Sequence, residues 1–472
     1  MVTRIPVARV PAPSDPAPQC MSSERADRDD SGWGGVGRQQ LRMASRAGMV
    51  TSAFHEGTFR SCGVVMTLAD SADRGPAGPL HGFRVLDLTS VVMGPLCTQI
   101  LGDQGADVIV IERPAGETNR VMGPGPHLQF SGVALNLMRN KRSVSLDLKT
   151  EEGRAALRRI IPTCDVLVTN MLPGVLARLG VTYPEVAALR PDIVYGQSQG
   201  FPLDHERADD PAYDDIMQSA TGIADAVRRV NGEPGLVPTL VADKVCAFIL
   251  AQAVTAALLH RARTGEGQHV EVPMVDAMRA FTLVEHGAGA IAEPRTERAG
   301  YPRILTPERR PQPTSDGWIN ILPYSQVHYD RLFTAGGRDD LVGNPAYADG
   351  RARIANSAML YRAVRGIVAQ RSTEEWLEFC SRLNIPVSRV VTLEELVDDL
   401  PIVDHPVAGR YRYITPGARL SQTPQTLRRH APTVGEHTAE VLDEVDREAA
   451  RVPRNSLPHG GGATRDGGDA SA

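Results

Sequence analysis

An aspartate stands where an apolar loop runs into a long segment rich in alanine and leucine. Asp243 and Lys244 separate this loop from the apolar stretch 245–259. We expect a helix to begin here, and the start of a helix fixes a negative charge and presents its oxygens to a ligand. That arrangement suits a carboxylate nucleophile. The competing interpretation is that Asp243 is only the N-cap of the helix, a common role of aspartate at such positions.

The composition limits the classes of protein to which the chain can belong. Its 472 residues exceed one ordinary core, so at least two domains are expected. A formal net charge of -5 argues against nucleic acid as a partner. The six cysteines lie far apart without a C-x-x-C pair, which favours a reducing cytoplasm. No stretch reaches the roughly 18 to 20 apolar residues of a membrane span, and no histidine spacing indicates a metal.

Both ends of the chain lack the periodicity of helices or strands. Residues 1–79 are rich in proline, serine, arginine and glycine, and residues 448–472 contain a run of glycines. Such composition predicts disorder. Because Met49 and Met66 precede the regular pattern, one hypothesis is that translation begins at one of them.

Short apolar strands alternate with helical segments in the middle of the chain. Residues 85–88 and 107–111 are expected strands, joined by a helix that begins near Pro95, and form one βαβ unit. Further strands are expected at 143–146, 165–168, 193–195 and 268–272, with helices at 151–160, 183–189 and 275–288. The pattern predicts an α/β fold with a largely parallel sheet.

A second region follows a connection rich in arginine and proline at 294–313. It is predicted to contain a strand at 317–322 and helices at 326–333, 357–369 and 374–382. The segment 392–445 then returns to strand-like sequence, with a strand at 410–414 and a final helix at 438–445.

A series of short motifs runs in order from Leu80 to about Leu442. The motifs are VLDLT at 85–89, GP at 94–95, LGDQGADVI at 101–109, ERP at 112–114, NKRS at 140–143, LDLK at 146–149, Asn170 with PG at 173–174, RLG at 178–180, YD at 213–214 with Gln218, the Asp243 loop, RTGEGQ at 263–268 and GEHT at 435–438. Together they resemble the family III CoA-transferases, also called the CaiB/BaiF family.

The resemblance implies a fold and an assembly. The expected fold is a Rossmann-like large domain with a parallel sheet, a smaller inserted α+β domain, and a homodimer whose subunits are interlocked. On this basis residues 80–290 form the first part of the large domain, 291–391 the linker and small domain, and 392–447 the C-terminal part of the large domain.

The resemblance also implies a reaction and its residues. Asp243 would be the catalytic aspartate, which attacks an acyl-CoA thioester and forms an aspartyl acyl-anhydride. Backbone N–H groups at the helix start or in a glycine loop would stabilise the oxyanion. The CoA-binding candidates are Val91, Met93, Arg113, Lys149, Asn170, Arg178 and Leu179. The substrate-binding candidates are Tyr213, Asp214 and Gln218. CoA thioester is expected as a substrate rather than a bound cofactor, with a small carboxylic acid such as succinate as its partner.

Two departures from the family pattern bear on the substrate. Members that act on formyl- and oxalyl-CoA have glutamine where Val92 stands, and a glycine run where this chain has PERRPQP at 307–313. An oxalate-type substrate is therefore not expected.

Three rival functions remain open. A 2-methylacyl-CoA racemase needs a second base, and its histidine position is taken here by Tyr213, whose phenol is a poor base at neutral pH. A dinucleotide-dependent dehydrogenase would need G-x-G-x-x-G after the first strand, which residues 90–95 do not supply. A non-catalytic CoA-binding protein is the third alternative.

Overall fold

The computed structural model describes residues 78–451 of the chain. The predicted disordered segments 1–79 and 448–472, together with Met49 and Met66, lie almost wholly outside these residues. The last helix, however, continues to Arg451. Its final turn is held because Glu448 accepts a hydrogen bond from Arg84 at 3.2 Å.

A six-stranded parallel sheet forms the centre of the described chain. Its strands are β1 (Arg84–Leu88), β2 (Asp107–Glu112), β3 (Lys141–Ser145), β4 (Val166–Thr169), β5 (Val194–Gln197) and β6 (Gln268–Glu271). They pair in the order β3-β2-β1-β4-β5-β6, and every neighbouring pair is parallel. The predicted parallel sheet is confirmed. The strand order reverses between β1 and β4, and the crevice at their carboxyl ends is where such sheets bind ligands.

Helices cover both faces of this sheet. They are α1 (Met93–Asp103), α2 (Gly132–Leu137), α3 (Glu151–Ile160), α4 (Pro173–Leu179), α5 (Tyr183–Leu189), α6 (Asp214–Ala220), α7 (Ile223–Asn231), α8 (Val241–Thr264) and α9 (Met274–His286). Successive strand residues point to opposite faces, so Val85 belongs to a core with α1, α8 and α9, while Leu86 belongs to a core with α3.

Helix α8 lies against the sheet at close range. Leu250, Val254 and Leu258 recur at every fourth position and are buried in the core. Gly196 on β5 permits this approach, because a Cβ atom there would lie only 2.9 Å from the Cγ2 atom of Val254. By length and composition, α8 is also the one helix among the described residues that could cross a membrane, and half of its most apolar window is buried inside the protein.

A separate small core follows in the chain. An antiparallel sheet of β7 (Gln312–Pro313), β8 (Trp318–Ile321) and β9 (Val387–Arg389) packs with α10 (Gln326–Ala335), α12 (Ser357–Val368) and α13 (Thr373–Leu383). The short α11 (Gly350–Ala355) lies outside this core and contacts α12. Trp376 is fully buried in this core, and its indole N–H donates to the carbonyl of Val368 at 2.8 Å. The predicted strand and three helices are present, while the short β7, β9 and α11 were not predicted. The domain boundaries at 291 and 391 remain predictions.

The C-terminal segment returns to the six-stranded sheet. After α14 (Leu393–Asp398), the strands β10 (Ile402–His405) and β11 (Gly409–Arg412) form a two-stranded antiparallel sheet that shares a core with α2. The final helix α15 (Thr438–Arg451) packs on the core beside α3. Arg142 on β3 donates hydrogen bonds to Glu440 and Glu444 of α15, each at 3.0 Å.

Candidate active site

A cleft of about 260 Å³ opens at the carboxyl ends of β1, β4 and β5. Among its lining residues are the predicted site residues Val91, Met93, Asn170, Tyr213 and Asp243. The rest of the wall is formed by Ser90, Met171, Leu172, Val175, Ser198, Gln199, Gly200, Pro211, Ala212 and Met274. Tyr213 is 63% exposed at the rim. The sequence therefore predicted one side of the cleft and missed the loop after β5.

Asp243 lies in the first turn of α8, and only 8% of it is exposed. No described group donates a hydrogen bond to its carboxylate. Burial, with added repulsion from Asp214 and Asp215, raises the pKa of Asp243 from 3.8 to about 6. A largely buried carboxylate of this kind is more reactive than one that is fully exposed to water, and a pKa of about 6 leaves it ionised at neutral pH.

The cap of α8 is supplied by Asp214 rather than by Asp243. The Oδ1 atom of Asp214 accepts from the backbone N–H of Ala242 at 2.7 Å and of Asp243 at 3.2 Å. Its Oδ2 atom accepts from Gln218 at 2.6 Å, and the Oε1 atom of Gln218 accepts from the N–H of Val237 at 2.9 Å. The polar atoms of both predicted substrate residues thus face protein groups rather than the cleft, and they fix the loop that leads to Asp243.

The remaining N–H groups at the start of α8 are also occupied. Val241 donates to the carbonyl of Thr239 at 2.7 Å, and Lys244 donates to that of Leu240 at 3.3 Å. The side chain of Lys244 bonds to the hydroxyl of Thr239. The expectation that this helix start donates to an oxyanion is therefore not met, because its first four N–H groups already have partners.

The opposite wall of the cleft is a tightly held loop after β1. Asn170 accepts from the N–H of Ser90 and donates to its carbonyl, both at 2.9 Å. The Oε1 atom of Glu117 accepts from the hydroxyl of Ser90 at 2.8 Å and from the N–H of Val91 at 2.9 Å. Val91 adopts a φ of 70°, which is unfavourable for a β-branched residue. Strain of this kind persists only where surrounding contacts enforce it.

We expect Val91→Gly to raise the free energy of unfolding by about 1 kcal/mol, because glycine adopts a positive φ without steric cost. Urea denaturation would measure the change. Val91→Ala is the matched control, since it removes the branch but keeps the Cβ atom, and it should gain less. A less stable glycine variant would show that packing of the valine side chain outweighs the strain.

A buried ion pair lies beneath this loop. The Nζ atom of Lys141 is 2.9 Å from the Oδ2 atom of Asp87, and both side chains are fully buried. Lys141 also donates to the hydroxyl of Thr98 at 2.8 Å and to the carbonyl of Pro95 at 3.0 Å. Asp87 accepts from the N–H of Thr89 at 3.0 Å. These motif residues therefore tie the end of β1 to the start of α1.

Comparison with known proteins decides the family. Residues 80–438 match the sequence profile of CoA-transferase family III. The chain belongs to CoA-transferase family III. It is 30% identical over 398 residues to a succinate–glutarate CoA-transferase of Agrobacterium fabrum, covering 80% of this chain and 98% of that one. It is 31% identical over 388 residues to a succinyl-CoA:mesaconate CoA-transferase of Haloarcula hispanica, covering 78% and 96%.

The fold of this family III chain matches a solved relative. A crystal structure of a CaiB/BaiF family protein from Brucella suis superposes with a TM-score of 0.67 at 27% identity, covering 78% of this chain and 100% of that one. The predicted family is confirmed, and the chain is a transferase enzyme whose relatives are CoA-transferases.

Three cations of this family III chain lie along the edge of the sheet that bears the cleft. Arg113 follows β2 directly, Lys149 follows the end of β3, and Arg178 lies in α4 after β4. All three are exposed, and none has a carboxylate partner among the described residues. Leu179 beside them is half-buried against the core. The edge can therefore offer positive charge to phosphate groups.

Potential metal ligands are scattered in this transferase. Within residues 78–451, no three His, Cys, Asp or Glu side chains come close enough together to hold a metal ion. The four cysteines of this range are free and buried.

Proposed function

We propose that the chain transfers CoA from an acyl-CoA thioester to a free carboxylic acid, with Asp243 as the nucleophile. The observation that carries the proposal is the buried carboxylate of Asp243. It lines the cleft, receives no hydrogen bond from any residue that the structure describes, and has its pKa raised to about 6. A largely buried carboxylate attacks a thioester more readily than an exposed one, and burial also protects the resulting anhydride from hydrolysis.

The reaction proceeds in three steps, each of which forms one bond and breaks another. A carboxylate oxygen of Asp243 attacks the thioester carbonyl, the C–S bond breaks, and CoA departs as its thiolate. The aspartyl acyl-anhydride is then attacked at the aspartyl carbonyl by the incoming carboxylate, which expels the first acid. The thiolate finally attacks the acyl carbonyl of the new anhydride and restores the carboxylate of Asp243. No net proton is needed, which agrees with a cleft in which Asp243 is the only charged lining residue within residues 78–451.

CoA would lie along the cationic edge of the sheet. We assign its phosphates to Arg113, Lys149 and Arg178, which are exposed and free of carboxylate partners among the described residues. Its pantetheine arm would pass Asn170 and the loop at Val91 and Met93, toward Asp243. Tyr213 would close the rim, and Asp214 with Gln218 would position the nucleophile rather than touch the substrate.

Trapping of the anhydride tests the proposal. Purified protein is incubated with an acyl-CoA and hydroxylamine, and a hydroxamate on the peptide that contains Asp243 is sought by mass spectrometry. Asp243→Asn is the matched control. Wash-in of deuterium at the α-carbon of a 2-methylacyl-CoA, without hydroxamate, would instead establish a racemase. CoA binding without either reaction would leave a binding protein.

We expect the acid limb of kcat/KM to lie near pH 6, because Asp243 must be ionised to attack and its pKa is about 6. Asp214→Asn should move this limb to lower pH by a fraction of a unit. The amide still caps α8 but no longer repels the charge on Asp243, while burial, the larger cause, persists. Asp215→Asn is the control, since Asp215 is the smallest of the three causes. If the acid limb of kcat/KM stays at the same pH in both variants, repulsion by these carboxylates does not contribute to the raised pKa of Asp243.

We also infer a homodimer, because α8 and α9 expose a neighbouring set of large apolar side chains. Phe248 is 57% exposed, Leu259 63%, Phe281 47% and Val284 83%. A contiguous apolar surface on two packed helices is typical of an interface. Light scattering of the wild type and of a Phe248→Glu/Val284→Glu variant would test it. If the subunits are interlocked, tagged and untagged dimers will not exchange subunits without unfolding.

A cytoplasmic location follows from the same proposal. Acyl-CoA is an intracellular substrate class, and free cysteines at Cys97, Cys164, Cys246 and Cys380 suit a reducing compartment. Fractionation of cells that produce the tagged protein would check it.

A further inference from the structure

Gln199 holds an unused hydrogen-bond acceptor at the cleft. It lies two residues beyond the end of β5, lines the same cleft as Asp243, and is only 3% exposed. Its Nε2 atom donates to the carboxylate of Glu271 at 2.8 Å. Its buried Oε1 atom has no hydrogen-bond partner among the described residues. Buried side-chain oxygens are seldom left without a donor, so a missing partner points to a donor from outside the described chain, either a ligand or a bound water.

The orientation of this amide is fixed by its surroundings. The carboxylate of Glu271 can only accept, and it also accepts from the N–H of Leu203 at 2.8 Å. Gln199 must therefore turn its NH2 group toward Glu271 and its oxygen away. The backbone is held as well, because the carbonyl of Gln199 accepts from the N–H of Met274 at 2.8 Å. The acceptor is thus rigidly placed before any ligand arrives.

The strand order places Gln199 at the acyl end of the cleft. The cations assigned to CoA follow β2 and β3 and lie in α4, whereas Gln199 follows β5. In the sheet, β5 and β6 lie on the other side of β4 from β1, β2 and β3. A thioester that enters from the cationic edge therefore reaches Asp243 with its acyl group directed toward Gln199.

Charge at this end of the cleft argues against a dicarboxylate, and so against the succinate expected from the sequence. No lysine, arginine or histidine of the described chain lines the cleft, and Asp243 is its one charged lining residue. A second carboxylate on the acyl group would be buried there without a cation, beside the negative charge of Asp243. Such burial is strongly unfavourable.

We propose that Gln199 selects acyl groups that are uncharged and carry a hydroxyl, whose O–H donates to Oε1. The substrates would then be short hydroxy-monocarboxylic acids and their CoA thioesters. This inference rests on the proposed CoA transfer. An amide N–H of the pantetheine arm could supply the same kind of donor, and the experiment separates the two sources.

Degenerate exchange tests the preference, since each acyl-CoA is mixed with its own deuterated free acid. The probes are butyryl-CoA, 2- and 3-hydroxybutyryl-CoA and succinyl-CoA, assayed with the wild type and with Gln199→Met, which keeps the volume but removes the acceptor. We expect kcat/KM to favour at least one hydroxyacyl-CoA over butyryl-CoA by about 10-fold or more, and the variant to lose that preference while retaining butyryl exchange.

Other outcomes overturn the proposal in distinct ways. Equal losses for all probes in Gln199→Met would assign the donor to the pantetheine arm. If Gln199→Met leaves kcat/KM unchanged for every probe, water alone donates to Oε1 of Gln199. Fast exchange of succinyl-CoA would show that a cation reaches the cleft. If the wild type exchanges none of the probes, binding of hydroxybutyryl-CoA and butyryl-CoA to Asp243→Asn is measured by calorimetry, with and without Gln199→Met. Tighter binding of hydroxybutyryl-CoA that is lost with Gln199→Met would support selection of the hydroxyl group. Equal binding of the two thioesters would overturn it.

Discussion

Asp243→Asn should lose CoA exchange by about three orders of magnitude or more, and at neutral pH the variant should be more stable than the wild type. The loss follows because an amide cannot form the acyl-anhydride. The gain follows because asparagine carries no charge into a site where nothing described offers that charge a hydrogen bond. Activity is measured by exchange of labelled acid into acyl-CoA.

The stability difference should depend on pH in one direction. The pKa of Asp243 is about 6 in the folded chain against an ordinary value of 3.8, so the folded state binds the proton more tightly. The raised pKa of Asp243 therefore does not lower the free energy of unfolding well below pH 3.8, where the carboxyl group is protonated in both the folded and the unfolded state. The destabilisation grows between about pH 3.8 and pH 6 and stays constant at higher pH. At about 1.4 kcal/mol per pKa unit, with allowance for relaxation of the site, this amounts to about 2 kcal/mol at pH 8.

Urea denaturation at pH 8 and at pH 4 measures this difference. Asp243→Asn should exceed the wild type at pH 8 and equal it at pH 4. The exposed Asp215→Asn serves as the control and should change little at either pH. If Asp243→Asn is instead less stable than the wild type at pH 8, contacts of the carboxylate stabilise the fold by more than its burial destabilises it.

Lys141→Met should lower the free energy of unfolding by about 3 to 5 kcal/mol, because it leaves the carboxylate of Asp87 buried without its cation. Both partners are fully buried, and Lys141 has three bonding partners in Asp87, Thr98 and Pro95. Guanidinium denaturation measures the loss. The matched control is Arg113→Met, an exposed cation without a carboxylate partner among the described residues, which should change stability by less than about 0.5 kcal/mol.

A second substitution separates the charge from the contacts. Asp87→Asn in the Lys141→Met background removes the uncompensated charge. Its amide oxygen keeps the acceptor for the N–H of Thr89, and its NH2 group can donate to the hydroxyl of Thr98, which then accepts. This second substitution should restore part of the lost stability. If it restores none, the loss in Lys141→Met arises from packing of the long side chain rather than from the unpaired charge.

Local sequence was sufficient for the sheet and for the position of Asp243 at the start of α8, while its role as nucleophile stays a prediction. The strands of the six-stranded sheet are short apolar runs flanked by helical periodicity, and such patterns are local. Asp243 was found because it begins a long apolar helix within a recognisable family motif. Asn170 was placed at the cleft in the same way, because motif residues after strands of a parallel sheet meet at one edge. That Arg113 and Lys149 bind CoA stays a prediction.

Contacts between distant segments were beyond the reach of sequence. Asp214 caps α8 from 28 positions away, and Lys141 pairs with Asp87 across 54 positions. Glu117 lies in a loop with no pattern of its own, although it holds the wall of the cleft. The raised pKa of Asp243 depends on how these parts pack, since its first cause is burial.

The close approach of α8 to the sheet at Gly196 links two distant positions of the molecule. A methyl group on Gly196 would press on Val254 at 2.9 Å, and α8 would have to move outward. Val254 is about 16 Å along the helix from Asp243, at 1.5 Å per residue. Because a helix is stiff, an outward displacement at Val254 also displaces the first turn of α8, where Asp243 lies. A random screen for loss of activity should therefore recover Gly196→Ala beside substitutions of Asp243, the proposed nucleophile, although neither residue touches the other.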